Sequence, residues 1–336
     1  MPITDFDRHI IYSGIVFFNV VGLFGNFNVL YAHYRLTKLR TKYGLLLAML
    51  VTSHAFCLLY ELVGLVYDVF GEPIIRNTCF YILSPYIFTF CLQVALMAAI
   101  STDMLISIAF PLQHRMLRMK TYLTILVLPG IIYGVAVLIT GVIYTNERQL
   151  KLCNLPTSLP FKVMKMWHLA GLVFTVVTIF SYLAAYTILY RKYKNNIIAK
   201  LHSDNKSIER KALKSLSILI VVFIIERLFF TSLINYLDFA GHSKDVLEKA
   251  QAYMVFSSLT VYSSTYYVCF ARSSEYRRIF WRQIVMMIGC FGVKLQEDRF
   301  GHSSTEDLRK HVRHNKFQPN ESYGSLSGGH PSTPKF

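Results

Sequence analysis

Apolar residues in this chain come in blocks rather than in stripes. Seven blocks, at 10–32, 44–67, 79–110, 122–144, 166–190, 216–237 and 250–271, are each long enough to cross a bilayer, which takes a helix of about 20 residues. Lipid offers backbone N–H and C=O groups no partner, so such segments must close their own hydrogen bonds as helices. A soluble α-helical core would carry its apolar residues at amphipathic spacing, and seven such blocks in 336 residues are too many for that reading. The pattern predicts an all-α membrane protein, a seven-transmembrane helix bundle over 10–271 preceded by nine residues.

Behind the seventh block the pattern changes. In "SSEYRRIFWRQIVMMIGC", Tyr276, Phe280, Ile284 and Met287 share one helical face while Arg277, Arg278 and Arg282 lie elsewhere on the cylinder. Residues 272–290 are therefore expected to form a short amphipathic eighth helix on the membrane surface, with Cys290 at its end as a candidate for acylation. From 291 to 336 the chain is polar and rich in Ser, His and Gly, the composition of a disordered tail. No internal duplication of the transporter kind is visible.

Charge changes the picture in one respect. A net +16 suggests nucleic acid until the charges are sorted by connector. The connectors 34–43, 111–121 and 191–215 together with 272–336 hold 26 of the 35 Lys/Arg, whereas 1–9, 68–78, 145–165 and 238–249 hold 8. The acids divide evenly between the two sets, so one face is near neutral and the other strongly basic. The positive-inside rule then places the amino terminus outside and the carboxy terminus in the cytoplasm of a multi-pass membrane protein. The basic face meets the anionic inner leaflet, and no nucleic-acid partner is expected. Only nine residues precede the first block, and Asp5 and Asp7 accompany Arg8, so that block reads as an uncleaved anchor.

Of six cysteines, two fall on the outer side, Cys79 at the head of the third block and Cys153 in the connector after the fourth. The outside is oxidising, and a bridge between them is the natural reading. Cys57, Cys91 and Cys269 lie within blocks and read as small buried hydrophobes. No Gly-rich phosphate loop, HExxH, Gly-x-Ser-x-Gly or Cys-x-x-Cys occurs, so neither catalysis nor a metal or cofactor is expected.

Seven spans, an outside amino terminus and the Cys79/Cys153 pair together resemble the rhodopsin-like G-protein-coupled receptors. In that family the foot of the third span carries Asp-Arg-Tyr about 25 residues after the bridge cysteine, then a proline and a basic loop. The same count reaches Asp103-Met104-Leu105, then Pro111 and Arg115, so Met104 stands where the arginine would be. "GLFGN" supplies the span-one asparagine as Asn26; the sodium-site aspartate of span two is replaced by His54, with Gln93 at the neighbouring position of span three. "RKALKSLSILIVVF" resembles the start of span six, with Lys211 and Lys214, but Glu226-Arg227-Leu228-Phe229 replaces the Cys-Trp-x-Pro that follows. Thr265-Tyr266-Tyr267-Val268-Cys269 replaces the span-seven Asn-Pro-x-x-Tyr. A retained frame with altered switch residues is similar to the nematode serpentine chemoreceptors, and "DMLISIAFPLQHR", "CLLYEL" and "ARSSEYRR" look most like their Srsx branch.

The resemblance implies a chemosensory receptor in which an external small molecule or peptide rearranges the helices and activates a heterotrimeric G protein. It assigns Glu61, Tyr86, Phe90, Arg227, Phe230 and Tyr262 to the ligand cavity. Asp103, Met104, Pro111, Arg115, Lys211 and Lys214 fall at the G-protein-facing switch, and Asn26, His54, Gln93 and Glu226 in the polar core. Met104 cannot form the usual acid–arginine lock, which leaves Asp103 to meet Arg115 or a helix-terminal donor and the resting state to rest more on packing. Charges within spans need partners or a wet cavity. Glu61 is the expected ionic partner of Arg227, the competing reading being that Arg227 meets an anionic or acceptor-rich ligand. His168 faces either the cavity or the headgroups. A channel or carrier is the rival class, and a receptor-like protein that does not signal is a further one.

Overall fold

The computed structural model describes residues 4–70, 74–150, 153–195, 205–241, 244–272 and 274–290. These form α1 (Asp5–Arg35), α2 (Lys42–Phe70), α3 (Arg76–Ala109), α4 (Pro111–Met116), α5 (Met119–Tyr144) and α6 (Leu155–Ser158). There follow α7 (Phe161–Asn195), α8 (Asn205–Phe239), α9 (Lys244–Tyr253), α10 (Val255–Arg272) and α11 (Ser274–Cys290). No strand occurs among the described residues beyond an isolated bridge between Ile75 and Gln149. The helices α1, α2, α3, α5 and α7 are long and apolar enough to cross a membrane. The sixth and seventh blocks lie on α8 and α10. They are more polar because α8 carries Glu226 and Arg227 in mid-block and α10 is rich in Ser and Tyr. The seventh block starts later than its sequence suggests: residues 250–253 belong to α9, and the helix breaks at Met254.

Helix ends follow local chemistry. At the start of α1, Thr4 Oγ1 accepts from the Asp7 amide at 3.2 Å while the Thr4 amide donates to Asp7 Oδ2 at 2.9 Å, a capping box. Acidic residues in its first turn and His33 and Arg35 in its last match the helix dipole. Within α3, Pro85 lacks the N–H that would meet the Tyr81 carbonyl, and the Ser84 hydroxyl donates to that carbonyl instead at 2.9 Å.

The third span is the axle. It packs against α2, α5, α6 and α7, and Leu83, Ile87, Val94, Leu96 and Ile100 on it are fully buried. The contact with α5 is close because Gly130, Gly134 and Gly141 form the facing stripe. A Cβ on Gly130 would stand 2.7 Å from Ala95 Cβ, and one on Gly134 2.6 Å from the Phe88 ring. On the side of α5 away from the bundle, Ile125, Ile132, Ile139 and Ile143 are exposed, as a lipid-facing surface requires. Polar pegs join α1 to α10: Asn26 Nδ2 donates to the Tyr262 carbonyl at 3.1 Å and Tyr267 OH to the Val21 carbonyl at 3.0 Å.

One end of the bundle is closed by the Cys79–Cys153 disulfide, whose Cα atoms are 5.8 Å apart. The Cys153 amide donates to Asp68 Oδ1 at 3.1 Å, and Asn154 caps α6, so residues 153–158 are pinned beside α3. At the other end Phe280 of α11 is fully buried, 4.5 Å from the Tyr266 ring, while Arg277, Arg278 and Arg282 are exposed. That face of the expected eighth helix thus packs on protein. Residues 284–290 continue it as helix in a second compact unit. The Cys290 side chain and the tail 291–336 lie outside the described residues, as do the side chains of Lys211, Lys214 and Phe230.

Candidate functional site

Toward the disulfide end, the helices part around a cavity of about 460 Å³, counting the space open at its mouth. Its lining comes from five spans and from the pinned segment Asn154-Leu155-Pro156. Four residues singled out in the sequence, Glu61, Tyr86, Phe90 and Arg227, line it, as does Glu226 from the expected polar core. Tyr262 lies beneath the floor. It is fully buried, and its hydroxyl is 3.2 Å from that of Tyr86.

The charged groups are held differently from one another. Tyr86 OH donates to Glu61 Oε1, and Ser258 Oγ donates to Glu226 Oε1 at 3.5 Å. Arg227 follows Glu226 directly, about 100° further around α8, and is turned toward α3 and α7. Its guanidinium carbon sits 4.9 Å from the Phe90 ring centre and 5.9 Å from that of Trp167. Gly171 of α7 leaves room for it, since a Cβ there would lie 3.0 Å from Arg227 Nη2. Arg227 makes no ion pair among the described residues. The ionic pairing of Glu61 with Arg227 expected from sequence is therefore not formed: Glu61 is taken by Tyr86, and Arg227 rests on aromatic faces. Such cation–π contacts contribute about 2 kcal/mol when desolvated. His168 lines a smaller cavity on the far side of Arg227, with Gly171, Thr175 and Leu228.

The rest of the polar core runs below this cavity. His54 Nδ1 is 3.3 Å from Thr265 Oγ1, and its ring lies 5.7 Å from that of Tyr262. Gln93 does not meet His54 in a hydrogen bond; its Oε1 accepts from Cys57 Sγ at 3.6 Å. Trp167, the Asn154–Pro156 segment and Ser258 were not singled out in the sequence. An aromatic or a serine in a span carries no signal of its own, although Asn154–Pro156 follows Cys153 directly and so had to lie near the bridge.

A second cluster lies at the opposite, basic end. Asp103 is 2% exposed, and Oδ1 accepts from Tyr122 OH at 2.9 Å and from His114 Nε2 at 2.8 Å. The Lys42 ammonium donates to the His114 carbonyl and stands 5.0 Å over the Tyr122 ring. Met104 is buried by packing, and Pro111 begins α4, the short helix that carries His114 inward. Arg115, the expected basic partner of Asp103, is exposed instead. One residue around a helix is about 100°, and on α4 that rotation selects His114. Lys192 Nζ donates to the Ile108 carbonyl at 2.5 Å, joining α7 to the last turn of α3.

The family model for the serpentine type 7TM GPCR chemoreceptor Srsx matches residues 19–284 of this chain. That stretch contains the cavity, the disulfide and the Asp103 cluster. No curated protein matches the chain.

Proposed function

The chain belongs to the Srsx family of serpentine seven-transmembrane chemoreceptors, and from that premise we propose a plasma-membrane receptor that takes a small external ligand in the cavity above Tyr262 and activates a heterotrimeric G protein at its basic face. The observation that carries the reading is the cavity itself: a concave, aromatic space with a few converging polar groups, the ordinary form of a small-molecule site. Its lid is the disulfide-bound segment, so the mouth faces the oxidising side, and the basic end faces the cytoplasm, in keeping with the charge distribution.

Signalling needs a ligand that binds two helix arrangements unequally. Glu226 and Arg227 place α8 in direct reach of such a ligand. Further along, Tyr182 OH and Ser217 Oγ, 2.6 Å apart, join α7 to α8. At the basic end the Asp103–His114–Tyr122 cluster holds α3 against α4 and α5, replacing the acid–arginine lock that Met104 removes. Movement of α8 and α7 away from α3 would open a cleft bordered by the connectors 111–121 and 191–215, including Arg115, Lys211 and Lys214.

The experiment is nucleotide exchange on purified heterotrimers by the full chain in lipid nanodiscs, across a panel of small odorants and metabolites. Ligand-evoked exchange is expected. Ionic current in a planar bilayer without G protein, and no exchange, would replace the receptor reading by the channel one.

A further inference from the structure

Taking the cavity for the ligand site, as proposed above, we infer that its ligand is a small zwitterion bearing both a carboxylate and an ammonium group on an apolar body, of the size and chemistry of an apolar α-amino acid. The inference rests on how the charges are divided between the walls. On the α3–α7 side stands Arg227, about nine-tenths buried and stacked on Phe90 and Trp167; the neighbouring Glu226 carboxylate attracts it through space, but no salt bridge reaches its N–H groups among the described residues. A guanidinium stays charged and offers five N–H donors in a planar fork that matches a carboxylate. A guanidinium in a span whose N–H fork meets no acceptor is costly unless something supplies one. On the α2–α10 side stand Glu61 and Glu226, each with one described hydroxyl donor, from Tyr86 and Ser258. A carboxylate has about four acceptor positions, so both keep free capacity toward the cavity they line.

The cavity is thus a donor pole facing an acceptor pole, with aromatic surface between them. A simple anion would satisfy Arg227 but bring a further carboxylate to a cavity that already holds two and leave their free acceptor positions unmet. A simple amine would satisfy the glutamates and leave the Arg227 fork without an acceptor. A zwitterion meets both poles and adds no net charge, while its side chain lies on Tyr86, Phe90 and Trp167.

The test is thermal unfolding of the purified full chain in nanodiscs, which reads binding without a G protein. Three matched sets serve as probes: phenylalanine, leucine and tryptophan; the amines left by decarboxylating each; and the acids left by removing each amino group. Members of the first set are expected to raise the midpoint at concentrations at least tenfold lower than their matched amines and acids. Arg227→Gln should cancel that advantage and bring the amines level with the amino acids; Glu226→Gln should do the same for the acids. Arg227→Lys, which keeps the charge and loses the fork, should retain part of the preference and shows that the position tolerates change. Amines or acids stabilising as well as the amino acids, or no shift from any set, would overturn the inference. Midpoint shifts without nucleotide exchange would count against coupling alone; exchange evoked by neutral odorants and indifferent to Arg227 would leave a receptor with another ligand class.

Discussion

Replacing Tyr122 by phenylalanine removes one oxygen from the basic end of the bundle and little else. The ring remains, so the Lys42 contact at 5.0 Å and the edge-on His114 contact at 5.4 Å persist. What is lost is the 2.9 Å hydrogen bond to Asp103 Oδ1, an oxygen in a side chain that is almost fully buried and whose other partner among the described residues is His114. A hydrogen bond to a charged acceptor contributes about 1.5–3 kcal/mol. If the cluster holds only the resting arrangement, the equilibrium toward the signalling one moves by that amount, and each 1.4 kcal/mol is about tenfold. Ligand-free nucleotide exchange should therefore rise by roughly tenfold or more when normalised to receptor at the surface. His114→Ala should act in the same direction, and the double variant should fall short of the sum of the two, because both act through one carboxylate. Unchanged basal exchange in a Tyr122→Phe receptor that reaches the surface normally would refute the reasoning and leave the cluster a structural contact.

Other outcomes follow from the same geometry. Met104→Arg restores a cation beside Asp103 and should lower basal exchange; an unchanged or higher value counts against the cluster as a replaced lock. Cys79→Ser should lower the thermal midpoint of the purified chain, since losing a bridge costs about 2–5 kcal/mol in small domains. Gly130→Leu drives a side chain into Ala95 and should abolish surface expression, whereas Gly64→Ala, whose Cβ would sit 3.5 Å from the Cys153 carbonyl, should be expressed normally. Asp7, ahead of the first apolar block, is held well below its ordinary value of 3.8 by the Lys249 ammonium and then the Tyr253 hydroxyl. A lowered carboxyl contributes stability that is full above that ordinary value and lost as pH falls beneath it. The protection of α9 amides, as the ratio of intrinsic to observed exchange rate at each pH, should therefore be level from neutral pH to about 4 and fall in stronger acid, and Lys249→Met should lower it at neutral pH.

The bundle was legible because lipid enforces it: blocks of some twenty apolar residues leave a chain few alternatives. The bridge was legible for a similar reason, two cysteines on one face. Partner choice was not. Glu61 and Arg227 share a cavity, but the Tyr86 hydroxyl, 25 positions away in sequence, reaches Glu61 first, and no local pattern encodes that distance across the bundle. The choice of His114 over Arg115 depends on α4, six residues long, and the register of so short a helix decides which side chain turns inward. The break at Met254 was hidden because the apolar run continues through it. Trp167 was hidden because an aromatic ring looks the same in a packed span and at a site.

A receptor of this kind requires that the disulfide end of the bundle face out and that the cavity open there. Single cysteines at Ser258, in the cavity wall, and at Arg115, exposed at the basic end, would be probed with a membrane-impermeant thiol reagent. Cys79 and Cys153 are bridged, Cys57, Cys91 and Cys269 are buried and should stay silent, and Cys290 is replaced by serine in both chains. On intact cells the Ser258→Cys chain should react, and the Arg115→Cys chain should react only after the membrane is opened. Labelling of Arg115→Cys on intact cells, with Ser258→Cys protected, would contradict the account at its root.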